Sequence, residues 1–315
     1  MDSIFVQVLL LAAGFVLLIK GADWFVDGAA GLAVKAGIPQ IVIGLTIVAM
    51  GTSAPEAAIS ISSSVKGSAD IAVGNVLGSN IVNVLLILGI TAVIIPLAIR
   101  RSTIRYEIPF VIIITGVFAL LGLPDGVLSL TDGLILWALF VLYLIYLFRM
   151  AKKGEPVAEE IPDSKKKPLW LLLILLVAGV AMIIFGSNLT IDAATWIARY
   201  CGMSERVIGL TVIAFGTSLP ELVTCIMAAR KKNVDLAIGN IVGSNIFNIL
   251  FVIGTSALIT PVVYQRGFLI DSIAAIAVMV LLLVLVLNRE RKLKRWGGLI
   301  MLACYAGYFV YLFLK

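Results

Sequence analysis

Ten long apolar segments, separated by short polar stretches, make up most of this chain. They lie at residues 4–33, 39–65, 71–96, 106–122, 130–149, 169–197, 204–229, 236–261, 268–288 and 296–314. A helix of about 20 apolar residues is long enough to cross the hydrocarbon layer of a bilayer. Only 13% of the residues are charged, which is roughly half the share found in soluble domains. The segments therefore predict an all-α integral membrane protein with ten transmembrane helices.

The basic residues are distributed unevenly between the two sides of such a helix array. The loops on one side carry 18 Lys and Arg residues, and those on the other side carry 5. Basic loops stay in the cytoplasm, so we expect a multi-pass protein of the plasma or inner membrane with both termini extracellular or periplasmic. This orientation accounts for the net charge of +6, and we expect membrane lipid rather than nucleic acid around the protein.

A hydrophilic stretch divides the chain near its middle. Residues 151–168 are rich in Lys, Glu and Pro, a composition typical of flexible linkers. The stretch predicts a cytoplasmic linker between a first half, residues 1–150, and a second half, residues 169–315. Each half contains five segments. Because five is odd, the second half must enter the membrane from the opposite side.

The two halves contain related sequences. At an offset of 165 positions, residues 37–96 align with residues 202–261 without a gap, and roughly 28 of the 60 positions are identical. The first copy contains VIGLTIVAMGTSAPE and DIAVGNVLGSNIVNVL; the second contains VIGLTVIAFGTSLPE and DLAIGNIVGSNIFNIL. The chain is therefore predicted to form two inverted-topology five-helix repeats. Inverted repeats are common in secondary transporters, which bind their substrate near the midplane between the repeats.

Polar residues dominate the identities between the copies. Glu56 and Glu221 lie deep in apolar segments, where an ionisable residue is by default a functional candidate. Pro55 and Pro220 precede them, and each proline removes a backbone donor and disrupts the preceding helical turn. Free carbonyls beside hydroxyls and a carboxylate would form an oxygen-rich cation site.

The second motif places further polar residues on one helical face. Asn75, Ser79 and Asn83 are spaced four apart, and Asn240, Ser244 and Asn248 repeat this spacing. Taken singly, each such residue is also explained by packing between membrane helices. Nearer the ends of their segments, Asp23, Asp27 and Asp192 either line an access route or lie at the membrane interface.

The available chemistry is that of hard oxygen ligands. The chain has no histidine, and its three cysteines are scattered singly, so carboxylates, amides, hydroxyls and carbonyls remain. These groups suit Ca²⁺ and Na⁺ rather than softer metals. Two facing carboxylates would repel each other by about 4 kcal/mol at 4 Å and an effective dielectric of 20. One divalent ion, or several monovalent cations or protons, must neutralise them, and this requirement predicts obligatory exchange without a resident cofactor.

The paired motifs GTSAPE…GNVLGSN and GTSLPE…GNIVGSN resemble the α-repeats of the sodium/calcium exchanger family, within the cation/Ca²⁺ exchanger superfamily. The resemblance implies a secondary transporter of compact prokaryotic type, not an enzyme, that carries Ca²⁺ and Na⁺. It also implies a central metal-binding set: the carboxylates of Glu56 and Glu221, the hydroxyls of Thr52, Ser53, Thr217, Ser218, Ser79 and Ser244, the carbonyls of Ala49 and Ala214, and the amides of Asn83 and Asn248.

One position departs from the family pattern. Many members carry Asp where this chain has Asn248, so the set has two formal negative charges rather than three, which argues against K⁺ co-transport. The linker has no room for the large cytoplasmic regulatory domains of animal exchangers, and no obligate protein partner is evident. The alternatives are an H⁺/Ca²⁺ or other cation/proton antiporter and, more remotely, an intramembrane enzyme using Glu56 and Glu221 as an acid/base pair. Against the enzyme hypothesis, the sequence offers no nucleophile, no catalytic metal triad and no cofactor motif.

Overall fold

The computed structural model describes residues 3–66, 69–153, 167–203 and 214–314, and these residues are mostly helical. The helices of the first half are α1 (Ile4–Ala36), α2 (Gln40–Ile43), α3 (Ala49–Thr52), α4 (Ala54–Val65), α5 (Ala69–Val82), α6 (Gly89–Ile94), α7 (Ile108–Gly122) and α8 (Leu130–Lys153). Those of the second half are α9 (Leu169–Tyr200), α10 (Ala214–Thr217), α11 (Leu219–Arg230), α12 (Val234–Phe247), α13 (Gly254–Ile259), α14 (Arg266–Val286) and α15 (Arg295–Leu314).

Short π-helical turns join several of these helices into longer rods. Among the described residues they are Gly44–Val48, Asn83–Leu88, Thr103–Glu107 and Asn248–Ile253. The turns at Asn83 and Asn248 are equivalent under the 165-residue offset, and each begins at an asparagine of the predicted site. Single π turns within helices are frequent at functional sites.

The described residues contain seven helices that are long and apolar enough to span a membrane, and one bent pair that would make an eighth span. The bent pair, Gln40–Thr52 and Ala54–Val65, changes direction by 53°. A multi-pass membrane protein is therefore confirmed. Part of the predicted seventh segment, 204–213, lies outside the described residues, as does most of the predicted linker. The predicted tenth segment corresponds to α15, a helix of 20 residues.

The two prolines act where the sequence predicts. Pro55 and Pro220 lie in the first turns of α4 and α11, directly after breaks at Ser53 and Ser218. A proline in the first helical turn costs little, because the N–H that it lacks would have no partner there. The carbonyl four residues before Pro220, that of Gly216, instead accepts a hydrogen bond from the Ser187 hydroxyl at 3.1 Å.

Helices α1 and α9 cross at glycines, and their contacts are reciprocal. A Cβ atom added at Gly14 would lie 3.0 Å from the carbonyl oxygen of Gly186. One added at Gly21 would lie 2.9 Å from that of Gly179. The offset of 165 exchanges these two pairs, so each half gives the other the same backbone contact. Small residues allow membrane helices to approach this closely.

Two short antiparallel strand pairs also join the halves. Strand β1 (Leu97–Ala98) pairs with β4 (Lys292–Leu293), and β2 (Val127–Leu128) pairs with β3 (Val262–Val263). Leu97 lies opposite Leu293, and their equivalents at the offset of 165, Val262 and Leu128, also lie opposite each other. As in the α1–α9 contact, each half therefore gives the other the same strand pairing.

The spans that carry the second motif form the centre of the protein. In the most apolar window of Val234–Ile259, 94% of the residues are buried, and in that of Ile71–Ile94 the share is 72%; the other unbroken spans have 22% to 39%. The motif helices are therefore surrounded by protein, whereas the remaining spans face outward over much of their surface.

Candidate functional site

The two predicted carboxylates occupy equivalent places in the two halves. Glu56 lies in the first turn of α4 and Glu221 in the first turn of α11, and each is only 1% exposed. The Oε2 atom of each is fully buried and has no hydrogen-bond partner among the described residues. Each carboxylate thus directs an acceptor oxygen into the interior.

Hydrogen bonds between the halves fix the first motif. The Ser53 hydroxyl, from the first half, donates to Oε1 of Glu221 at 2.7 Å. The Thr52 hydroxyl donates to Oδ1 of Asn240 at 2.9 Å. Both hydroxyls lie at the break that precedes α4, so the bend places them against the other half.

Four asparagines form a reciprocal network at the centre. The amide nitrogen of Asn80 donates to the backbone oxygen of Asn245 at 3.2 Å, and that of Asn245 donates to the backbone oxygen of Asn80 at 3.3 Å. Asn83 donates to Oδ1 of Asn245 at 3.0 Å, and Asn248 donates to Oδ1 of Asn80 at 3.1 Å. All four amide nitrogens are thereby bound, so the side-chain oxygens of Asn83 and Asn248 remain as the free acceptors.

The carbonyl of Ala49 is already surrounded by donors. It accepts from the backbone N–H of Ser53 at 3.0 Å and from the Ser244 hydroxyl at 3.5 Å. The Thr52 hydroxyl oxygen lies 3.3 Å away, but its one proton is donated to Asn240 at the shorter distance of 2.9 Å. The Ser244 bond is long and that hydroxyl can rotate, so a cation at this carbonyl would compete with Ser244 and not with the backbone.

The remaining predicted ligands lie in α5, in α10 and at the break between α10 and α11. Ser79 is buried in α5, Thr217 is buried at the end of α10, and Ser218 is buried at the break before α11. The hydroxyl oxygen of Ser218 has no hydrogen-bond partner among the described residues. Ala214 is the first residue of α10. Its position matches that of Ala49 at the offset of 165.

The buried acceptors that lack a partner form a consistent chemical set. In the described part of the chain they include oxygens of Glu56, Glu221, Asn83, Asn248 and Ser218. Buried polar atoms are normally hydrogen-bonded, and each exception calls for an explanation. Carboxylate, amide and hydroxyl oxygens fit Na⁺ and Ca²⁺. Among the described residues, no three Asp, Glu, Cys or His side chains form a group that could hold a metal ion, so a cation here depends on neutral oxygens for most of its ligands.

Asparagines that were not predicted as site residues hold the predicted ligands in place. Asn80 and Asn245 are identical in the two copies of GSN, but they lie one position beyond Ser79 and Ser244 and so outside the stripe spaced four apart. Asn75 was in that stripe. Its amide donates to the Ser60 hydroxyl at 2.9 Å and to the Glu56 carbonyl at 3.4 Å, which ties α5 to the helix carrying Glu56.

Other acids have partners away from the centre. The Lys231 ammonium lies 2.7 Å from Asp23 and 2.6 Å from Asp27, which agrees with an interfacial position for both acids. A third buried acid, Glu107 in the π turn before α7, was missed by the sequence analysis because it lies near the end of its segment. It is 1% exposed, and one of its oxygens accepts a hydrogen bond from the Tyr146 hydroxyl, whereas Oε2 has no partner among the described residues.

Comparison with known proteins gives one family. Residues 6–149 and 171–314 match the model of the family described as sodium/calcium exchanger protein. A protein of Alkalimonas amylolytica named CaxA is 40% identical over 320 residues, which cover 98% of this chain and 99% of that protein. The sodium/calcium exchanger MaX1 of Methanosarcina acetivorans is 31% identical, and the match covers 98% of this chain and 99% of MaX1.

The fold is also found in a solved structure. A structure of the sodium-calcium exchanger NCX_Mj, soaked with zero Na⁺ and Ca²⁺, superimposes with a TM-score of 0.84 and 31% identity, covering 98% of this chain and 100% of that one. The matched ranges leave out only the termini and the region of the predicted linker. The chain belongs to the sodium/calcium exchanger family.

Proposed function

We propose that this protein is a secondary antiporter that exchanges Na⁺ for Ca²⁺ by alternating access. The observation that carries the proposal is the pair of buried carboxylate oxygens of Glu56 and Glu221, which have no partner among the described residues. Their helices pack against the π turns that begin at Asn248 and Asn83, whose amide oxygens also lack a partner there. The names of MaX1 and NCX_Mj, both sodium/calcium exchangers, support the choice of ions. The transported ions are cargo, and the protein needs no resident cofactor.

Electrostatics explains why transport would be an exchange. The carboxylate of Glu221 lies within electrostatic range of that of Glu56. Two such charges 4 Å apart repel by about 4 kcal/mol at an effective dielectric of 20. One Ca²⁺ neutralises both carboxylates, and so do two Na⁺. The loaded forms can then change their access side, whereas the doubly charged empty form cannot.

We assign the ligand roles from the geometry and the repeat. Glu56 and Glu221 provide the charge, and the oxygens of Asn83 and Asn248 complete the centre. The hydroxyls of the break, those of Thr52, Ser53, Thr217 and Ser218, flank it, as do Ser79, Ser244 and the carbonyls of Ala49 and Ala214. Rotation of the Ser244 hydroxyl away from Ala49 would accompany ion entry on that side.

The ten-span inverted arrangement is part of the proposal, and the strand pairs support it. Two hydrogen-bonded strands outside the hydrocarbon layer lie on the same membrane face, so an even number of spans must separate them. Six predicted segments lie between β1 and β4, and four lie between β2 and β3. Both counts include the segment at 204–229. Without that span both counts would be odd, so the pairing favours ten spans and two oppositely oriented halves.

Contacts between the basic loops support the proposed orientation. They are the hydrogen bond from Lys35 to the Lys167 carbonyl at 2.9 Å, the ion pair of Lys231 with Asp27 at 2.6 Å, the ion pair of Arg100 with Asp235, and the β1–β4 strand pair. Together they support a common face for the five basic loops. We assign this face to the cytoplasm, with both termini on the opposite side of the plasma or inner membrane. One chain contains both halves of the site, so no protein partner is required.

Glutamine substitution tests the proposal. Glu56→Gln and Glu221→Gln each remove one of the two charges that the ions neutralise, and we expect each to abolish Na⁺-driven Ca²⁺ uptake in proteoliposomes. Folding should persist, because a neutral amide is easier to bury than a charge. Glu107→Gln is the matched control, since Glu107 is equally buried and also has one oxygen without a partner among the described residues, but lies in the π turn before α7, outside the two repeated motifs. Normal uptake by either central variant would contradict the proposal, as would loss of uptake in all three.

A further inference from the structure

A groove on the basic face combines arginines with an apolar wall. It lies between the start of the fourth span and the end of α14, and its volume is about 460 Å³. Its lining includes Arg101, Arg105, Arg291, Ile104, Leu283 and Val286. The three arginines come from both halves, since Arg291 lies beside β4. The apolar residues belong to the membrane-spanning segments.

These arginines lack acidic partners, unlike their basic neighbours. Arg100 pairs with Asp235. Lys292 and Lys294 lie 3.7 Å and 3.0 Å from the carboxylate of Glu290, and the hydrogen bond from Lys294 holds the pKa of that carboxyl below its ordinary value. Over the ranges that the structure describes, no Asp or Glu oxygen lies within 4 Å of Arg101, Arg105 or Arg291. Three positive charges around one groove call for an anion.

The internal repeat provides a control for the inference that the three arginines bind an anion. The offset of 165 places Arg266, Ile270 and Gly126 at the positions of Arg101, Arg105 and Arg291. The second location has the same strand pairing, through β2 and β3, but only one of the three arginines. The fold therefore does not require the arginines, and their function is particular to the basic face.

We propose that the groove binds an anionic phospholipid, with the phosphate among Arg101, Arg105 and Arg291 and an acyl chain along Leu283 and Val286. Guanidinium groups pair well with phosphate, and basic pockets between membrane helices on the cytoplasmic side bind acidic headgroups. Leu283 and Val286 belong to a helix long and apolar enough to span the membrane, so a free anion would leave this apolar wall uncovered.

A second groove could accommodate the second acyl chain of the lipid. It lies between the fourth span and α8, has a volume of about 380 Å³, and is lined by Arg105 and by apolar side chains that include Phe110, Leu139 and Leu142. Because Arg105 lines both grooves, a phosphate at Arg105 would adjoin both apolar walls; Glu107, which also lines the second groove, is only 1% exposed. This arrangement suits a headgroup with two chains.

The bound lipid would hold the two halves together. The backbone N–H of Ile99 donates to the carbonyl of Arg291 at 2.8 Å, so the groove adjoins the β1–β4 junction. A phosphate shared by Arg101 and Arg291 adds a second link between the first half and the second half at the same point.

Lipid binding to the full-length protein in detergent tests this proposal. Phosphatidylglycerol, phosphatidylcholine and inorganic phosphate are titrated separately, with retention measured by native mass spectrometry. We expect the wild type to retain phosphatidylglycerol at concentrations where neither other probe is retained. An arginine near an anionic headgroup contributes about fivefold in affinity, so the triple variant R101Q/R105Q/R291Q should bind about 100-fold more weakly. The single variants should each show part of this loss, which keeps the test valid if the triple variant does not fold.

The matched control removes the same charge from the same face. In R289Q/K292Q/K294Q the groove arginines remain, and phosphatidylglycerol retention should equal that of the wild type. Equal losses in the two triple variants would overturn the proposal in favour of a general charge effect. Equal retention of phosphatidylcholine, or of inorganic phosphate, by the wild type would also overturn it, because the site would then lack headgroup selectivity or would bind a free anion.

Discussion

Replacing Asn245 or Asn80 with alanine should destabilise the protein by similar amounts. Asn245→Ala removes the hydrogen bond to the Asn80 carbonyl at 3.3 Å, the acceptor of the Asn83 amide at 3.0 Å and a long, weak contact with the Met279 sulfur at 3.9 Å. Asn80→Ala removes the equivalent bonds with Asn245 and Asn248, at 3.2 Å and 3.1 Å. Hydrogen bonds between membrane helices are worth about 0.6 kcal/mol on average and up to about 1.7 kcal/mol. Two lost bonds therefore lower the free energy of unfolding by about 1–3 kcal/mol.

Reversible unfolding in mixed micelles with increasing SDS measures this loss. Thr115→Ala is the control, because Thr115 is equally buried but, among the described residues, its hydroxyl bonds only to the Val111 carbonyl in the same helix. It should change the free energy of unfolding by less than either asparagine variant. A loss confined to one of the two asparagine variants would refute the reciprocal arrangement. So would the absence of any loss beyond that of the control.

Two further predictions concern topology and the ion set. Tags at both termini should report the extracellular or periplasmic face and a tag within residues 154–166 the cytoplasm; a cytoplasmic N-terminus would contradict the proposed orientation. Ca²⁺ exchange should proceed without K⁺, because the proposed site holds two carboxylates and no third acid. Asn248→Asp replaces the amide that donates to Asn80 at 3.1 Å, so this bond survives only if the new carboxyl holds a proton. Flux in that variant should gain a dependence on pH or K⁺, and unchanged dependence on both would place position 248 outside the ion site.

The sequence predicted the membrane class, the family and the burial of both glutamates. These features depend on local patterns: segment length, the position of a charge within an apolar run, and identity between two copies. The break before each glutamate also follows from local chemistry, because a proline cannot continue the hydrogen bonds of the preceding turn.

The contacts between the halves could not be predicted in the same way. The offset identifies which residues are equivalent, but not which residue of one half faces which residue of the other. The bonds from Ser53 to Glu221 and from Asn83 to Asn245 depend on how α4, α5, α11 and α12 cross. The position of Asn80 and Asn245 beside the polar stripe, and not in it, similarly follows from packing on two faces of a buried helix.

The most direct test of the account is the identity of the driving ion. In proteoliposomes, Ca²⁺ uptake is measured with an outward Na⁺ gradient while the pH is clamped on both sides, and then with a pH gradient in the absence of Na⁺. The account predicts uptake in the first condition and uptake no greater than in protein-free liposomes in the second. Uptake driven by the pH gradient alone, or none in the Na⁺ gradient, would contradict Na⁺/Ca²⁺ exchange at the central site.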